Sequence, residues 1–195
     1  MLLAILFLAI SACSDDAPYV PAGIVRTPSP NVGSVSLPDV TANSADFFFR
    51  AQPGELLVVY FGYTSCPDIC PTTLADLRRA LGDLEAEADR VEVAMVTIDP
   101  DRDLPEVVIS YTQAFFPEGH AIRSSDGDSL RKAADAFGVS YDVRTNEEGS
   151  VEVEHSAFLY VIGDDGSLRL QWPFGIKSVD IAKDLDVLLA QEDAP

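Results

Sequence analysis

Cysteine, histidine and methionine are scarce in this chain. Its 195 residues hold three Cys, two His and two Met. A cluster ligated by four cysteines is excluded by count. A methionine-rich copper site is excluded too, because Met1 falls in the leader and Met95 in an apolar strand pattern. Two cysteines alone cannot complete a tetrahedral zinc site, which needs two further ligands. Basic residues are also few: 13 Lys and Arg face 32 Asp and Glu, a net charge of −19. That balance disfavours nucleic acid as a partner and direct adhesion to anionic lipid. No internal repeat and no second linker is visible.

The chain opens on an uncharged apolar stretch, Met1 to Ala12. Its core, Leu2 to Ile10, is nine residues long, whereas a bilayer-spanning helix needs about 20. That length suits the apolar region of a secretory signal. Ile10-Ser11-Ala12-Cys13 resembles a bacterial lipobox, in which cleavage precedes the cysteine and that thiol is acylated. No Lys or Arg precedes the apolar run, a departure from ordinary signal peptides. Ser14-Asp15-Asp16 and then Pro18, Pro21, Pro28 and Pro30 read as an extended tether. The division expected is a signal peptide over 1–12, a flexible membrane tether over 13–30, and one domain over 31–195. The protein is accordingly expected outside the cytoplasm, on the periplasmic face of a bacterial membrane.

Within the domain, Leu56–Phe61 and Val91–Ile98 are continuous apolar runs, as in strands buried on both faces. Pro71 is tolerated only in the first turn of a helix, so a helix is expected from about Cys70 to Leu84, with Leu74, Leu77, Leu81 and Leu84 along one stripe. Further helices are expected over Pro105–Phe116, with Val107, Val108, Tyr111 and Phe115 inward, over Ser129–Phe137 ahead of a Gly138 stop, and over Ser178–Leu189. A short strand near Ala121–Arg123, a hairpin from Ser140–Arg144 and Val151–Glu154, and paired strands Ala157–Ile162 and Leu168–Trp172 complete the order. The class is α/β, a mixed central sheet flanked by helices.

Cys66-Pro67-Asp68-Ile69-Cys70-Pro71 joins the first apolar strand to its helix. Two thiols four residues apart form a soft-metal clamp or a redox pair; a purely structural disulfide gains little from closing so short a loop. A thiolate, not a thiol, binds metal or attacks a disulfide. Cys70 stands at a helix N-terminus, where the dipole favours negative charge, so its pKa is expected to be lowered. Soft sulfur selects Cu(I), zinc or iron–sulfur clusters, and Cu(I) accepts two or three ligands. His155, between the hairpin and a core strand, is the available nitrogen donor for a Cys₂His set. His120 is read as a loop residue, exposed or structural. Asp99, Asp101 and Asp103 could hold a hard cation, but turn and capping roles suit them better. Asp68 is placed to tune the thiols or contact a partner.

The segments Phe61-Gly62-Tyr63-Thr64-Ser65-Cys66-Pro67-Asp68-Ile69-Cys70-Pro71, Thr97-Ile98-Asp99-Pro100-Asp101-Arg102-Asp103 and His155-Ser156 before Phe158-Leu159-Tyr160 resemble the Sco/SenC family. The resemblance covers roughly residues 30 to 190. It implies a thioredoxin-like fold with the hairpin as an insertion. It further implies one copper per monomer, bound by Cys66, Cys70 and His155 and delivered to the binuclear centre of cytochrome c oxidase subunit II. The same thiols would reduce that subunit's cysteines, copper would arrive from an upstream periplasmic donor, and a lipid anchor at Cys13 would hold the protein to the membrane. Such a protein is a metallochaperone rather than a turnover enzyme. Glu154 stands where an Asp often precedes the His, which bears on how the imidazole is oriented. The rival is an extracytoplasmic thiol–disulfide oxidoreductase using Cys66 and Cys70. Thioredoxins, however, place two residues between their cysteines and a cis-proline where this chain has His155.

Overall fold

The computed structural model describes residues 19–193. The expected signal peptide, Cys13 and the first residues of the expected tether lie outside them. The elements in chain order are β1 (Ser36–Asp39), β2 (Ala45–Phe48), β3 (Leu56–Gly62), α1 (Ile69–Asp83), β4 (Val91–Thr97), α2 (Pro105–Phe115), β5 (His120–Ile122) and α3 (Gly127–Phe137). They continue with β6 (Tyr141–Thr145), β7 (Val151–His155), β8 (Phe158–Ile162), β9 (Leu168–Pro173) and α4 (Ser178–Glu192). Among the described residues no helix is long and apolar enough to cross a membrane.

Seven strands form one mixed sheet in the order β2-β1-β5-β4-β3-β8-β9. β3 is parallel to β4 and antiparallel to β8, so both of its edges are occupied. This is why Leu56–Gly62 carries no polar alternation. Leu56, Val58 and Tyr60 face one side and pack with Leu74 and Leu77 of α1 and with Ile181 and Leu185 of α4. Leu57, Val59 and Phe61 face the other side and pack with Leu130, Ala133 and Phe137 of α3. Pro105 opens α2, and Gly138 closes α3 in the left-handed conformation at φ 75°. β6 and β7 form a separate two-stranded hairpin.

Four expectations change. β1 and β2 were not anticipated: both have four residues, Pro38 interrupts one, and their pairing is almost wholly with each other. Val107 is exposed, because α2 turns Val108 and Thr112 inward instead. His120 begins β5 rather than lying in a loop, where its Nδ1 meets Asp39 Oδ2 at 2.7 Å and its ring packs on Phe47. Residues 19–30, expected as tether, lie against β9 and α4, with Ile24 paired to Gln171 of β9.

The His120–Asp39 contact raises the His120 pKa above its ordinary value, mainly through the carboxylate hydrogen bond and against burial. Burial opposes the charge on Asp39, but hydrogen bonds from His120 and Thr41 outweigh it and lower that pKa. A raised imidazole contributes stability that is complete below about pH 6.5 and is lost as pH rises through its folded-state value. The lowered carboxylate contributes stability that is lost as pH falls through its own folded-state value. Urea unfolding of wild type and His120→Gln is therefore expected to show the largest difference in mildly acid solution. The gap should narrow as the pH passes above neutrality; a gap that widens instead contradicts the assignment.

Candidate metal centre

The site forms where β3 runs into α1. Gly62 ends the strand, and a Cβ there would lie 2.5 Å from the Tyr60 ring and 3.2 Å from Cys70 Sγ. Glycine at this position lets the ring and the sulfur close up beneath the backbone. The next residues are fastened from the side by Asp103, which is fully buried. Its carboxylate accepts from the Thr64 amide at 3.0 Å and the Thr64 hydroxyl at 2.5 Å, and from the Thr97 hydroxyl at 2.6 Å. One side chain thus ties the thiol loop to the end of β4. Among the three aspartates read as turn or capping residues, Asp103 is this clamp, while Asp99 pairs with Arg102.

The two thiols differ. Cys70, in the first turn of α1, is 0% exposed, whereas Cys66 is partly open to solvent. Both are free. The helix end acts on the earlier cysteine: the Cys70 amide donates to Cys66 Sγ at 3.3 Å. Burial opposes a Cys66 thiolate. Hydrogen bonds from the Cys70 thiol, the Cys70 and Asp68 amides and the Tyr63 hydroxyl outweigh it, and the Cys66 pKa is lowered. Burial pushes the Cys70 thiol up to about 12, helped by the neighbouring Cys66 charge. The expectation of a lowered Cys70 pKa is therefore reversed. Desolvation of a fully buried sulfur exceeds the helix-end effect, and the first-turn amide points its proton at the other thiol.

His155 closes β7 and stands just before β8, which runs antiparallel to β3. The chain thereby returns the imidazole to the edge at which β3 delivers the thiols. His155 Nε2 lies 3.8 Å from Cys70 Sγ, and Nδ1 lies 3.1 Å from the Ser156 carbonyl oxygen. A proton on Nδ1 donated to that carbonyl leaves the Nε2 lone pair facing the sulfur. Burial lowers the His155 pKa and so favours the neutral ring, the form that coordinates metals. The rings of Tyr63 and Tyr60 meet it edge-on, with centroids 5.9 and 6.3 Å away. No cluster of three or more His, Cys, Asp or Glu donors is preassembled among the described residues. The contacts run in sequence, Cys66 to Cys70 to His155. Two sulfurs, each binding as a thiolate once a metal displaces its proton, and an imidazole nitrogen suit a soft ion.

Several of the surrounding roles were not visible beforehand. The Ser140 amide donates to the Ser156 hydroxyl, and the Ser156 amide to the Ser140 carbonyl. The pair pins the hairpin beside the imidazole. Among the described residues the Tyr60 hydroxyl is buried without a hydrogen-bond partner, and burial raises its pKa. Glu154 points away from the imidazole and accepts from Arg144. Strand alternation forces this, since neighbours in β7 face opposite sides. Asp68 is exposed; its amide acts on Cys66, but its carboxylate meets Thr72 and not the sulfurs. His120 belongs to the β1–β5 contact and is no part of this site. Cys13 lies outside the described residues.

Comparison with known proteins bears on this arrangement. A model of the SCO1/SenC family matches residues 40–190, a span containing Cys66, Cys70 and His155. A protein of Stutzerimonas stutzeri described as a putative copper-binding protein is 35% identical over 131 residues, covering 67% of this chain. The match covers 64% of that relative, so the chain spans just under two thirds of its length. The solution structure of apo Sco1 from Thermus thermophilus is 30% identical with a TM-score of 0.73, covering 88% of this chain and 99% of that one. The structure of Bradyrhizobium japonicum ScoI with copper bound is 26% identical with a TM-score of 0.67, covering 78% and 96%. The mixed sheet and its helices have the thioredoxin-like architecture of these proteins.

The difference between the thiols is directly measurable. Brief alkylation with iodoacetamide near neutral pH, followed by mass mapping, is expected to label Cys66 at least tenfold faster than Cys70. Equal labelling, or faster labelling of Cys70, would contradict the assignment of the thiolate to Cys66.

Proposed function

The chain belongs to the SCO1/SenC family, and on that footing we propose that it binds copper, takes part in cytochrome c oxidase assembly and delivers copper to the binuclear centre of subunit II. The observation that carries this reading is the approach of His155 Nε2 to the Cys70 sulfur, while the amide of the same Cys70 donates to Cys66 Sγ. The copper-binding description of the Stutzerimonas stutzeri relative and the copper-bound Bradyrhizobium japonicum structure support it. Copper here is cargo. Cys66 is the open donor at which an ion arrives, while Cys70 and His155 are the inner donors that complete a Cys₂His set. Cu(I) tolerates so few ligands, and the same trait allows donors to be exchanged one at a time with an acceptor.

The lipobox at Cys13 supports a lipid-anchored protein outside the cytoplasm, loaded by a periplasmic donor and acting as a monomer. Titration of the reduced domain with Cu(I) in the presence of a competing chelator is expected to give one equivalent. Cys66→Ser or Cys70→Ser should abolish binding at that affinity, and His155→Ala should weaken it at least tenfold. If both cysteine variants bind as wild type does, copper carriage through these thiols is excluded.

A second reading rests on the unequal thiols. A partly open Cys66 of lowered pKa can attack a disulfide in subunit II, forming a mixed disulfide and releasing one thiolate of that subunit. Cys70 then attacks Cys66, forming the Cys66–Cys70 disulfide and releasing the second thiolate. Two electrons and the disulfide bond change hands. Reduction of oxidised subunit II by one equivalent of reduced protein is expected. In Cys70→Ser the mixed disulfide should accumulate, and its absence would remove this second activity.

A further inference from the structure

Asp184 is a carboxylate in the middle of α4, 1% exposed, on a stripe otherwise formed by Ile181, Leu185 and Leu188. A buried carboxylate persists only where donors surround it. Trp172 Nε1 donates at 2.7 Å. The other three donors belong to the chain's N-terminal part: the Ala22 amide at 3.0 Å, the Gly23 amide at 2.9 Å and the Tyr19 hydroxyl. At Gly23 a Cβ would lie 2.7 Å from Leu170 and 2.9 Å from the Trp172 ring, so this backbone rests directly on β9. Ile24 and Gln171 exchange both backbone hydrogen bonds, at 2.8 and 3.0 Å. Arg26 reaches the Phe137 carbonyl at 2.8 Å, and the Leu168 amide donates to the Pro30 carbonyl at 2.9 Å. From Tyr19 to Asn31 the chain is fastened along the outer edge of the sheet.

We propose that residues 19–31 are a strap rather than a tether, and that an acyl anchor on Cys13 therefore holds the β9–α4 side of the domain against the lipid surface. This rests on the lipoprotein reading of Cys13 given above. From Cys13 to Tyr19 there are six Cα–Cα steps, a reach of at most about 21 Å. Were the chain free as far as Asn31, the reach would be about 60 Å. The strap exposes apolar side chains: Val20 is 81%, Val25 56% and Ile24 48% exposed. Lys183 of α4 lies over the Tyr19 ring, 5.2 Å from its centroid, and Asp180 also acts on Tyr19. Opposite charges thus meet beside the strap on a protein of charge −19, which suits a zwitterionic headgroup layer. β3 is two strands in from β9, about 10 Å at ordinary strand spacing. The thiols would then act at a fixed, low height above the membrane.

Trp172 is the only tryptophan and touches the clamp itself, so it reports the distance. The probe is full-length protein in phosphatidylcholine vesicles carrying a dansyl-headgroup lipid, read as energy transfer from Trp172. Wild type is expected to transfer efficiently. A twelve-residue Gly/Ser insertion between Asp16 and Ala17 leaves the clamp intact and should reduce transfer at least threefold. Tyr19→Ala combined with Asp184→Asn, which frees the strap, should reduce it similarly; if that variant does not fold, the insertion alone decides. Mass analysis of the N-terminal peptide separates the two failures. An unacylated Cys13 overturns the lipoprotein reading and this inference with it. An acylated Cys13 with transfer unchanged by the insertion overturns the strap alone.

Discussion

The site depends on one buried carboxylate. Asp103 sits at the end of a turn rich in charge, yet it is fully enclosed and holds the thiol loop to the end of β4 through Thr64 and Thr97. Hydrogen bonds to a charged group contribute about 1.5–3 kcal/mol each, and three of them converge here. With the Ile98 amide donating to the Gly62 carbonyl at 2.9 Å, that clamp fixes how the chain leaves β3. The orientation of Cys66 and the first turn of α1 follow from that departure.

Given the clamp, the chemistry follows from depth. The loop leaves Cys66 at the surface and carries Cys70 beneath Gly62 and Tyr60. Desolvation and the helix end then act on different sulfurs, so that the Cys66 pKa falls and the Cys70 pKa rises. The same division serves both proposed activities, since an open thiolate captures either a soft cation or a disulfide sulfur. His155 distinguishes them. A disulfide exchanger has no use for a nitrogen lone pair turned toward its buried sulfur, whereas a Cys₂His copper site needs one. The strap works on a larger scale, setting where such a site can operate rather than what it does.

Much of this could be read from residue order. Leu56–Gly62 and Val91–Thr97 announce themselves as two-sided strands because their apolar runs are unbroken. The prolines at 71 and 105 mark helix starts because a missing amide is harmless only there. The donor set was legible because so few soft ligands exist to choose among. What escaped is what depends on depth and on long-range contact. The Cys70 pKa was misjudged because spacing places Cys70 at a helix end but cannot show it lying under a tyrosine. Asp103 looked like its exposed neighbours. Tyr19 to Asn31 looked like a tether because prolines suit a strap along a sheet edge as well as they suit a linker. The partner that decides between the two, Asp184, lies more than 150 residues further on.

The central claim is that Cys66, Cys70 and His155 enclose one copper ion. X-ray absorption of the Cu(I)-loaded domain, wild type beside His155→Ala, tests it most directly. The account predicts two sulfur scatterers and one imidazole nitrogen in wild type, with the imidazole signature lost in the variant and the sulfurs retained. An imidazole signal that survives in His155→Ala, or a wild-type spectrum containing sulfur alone, would contradict it.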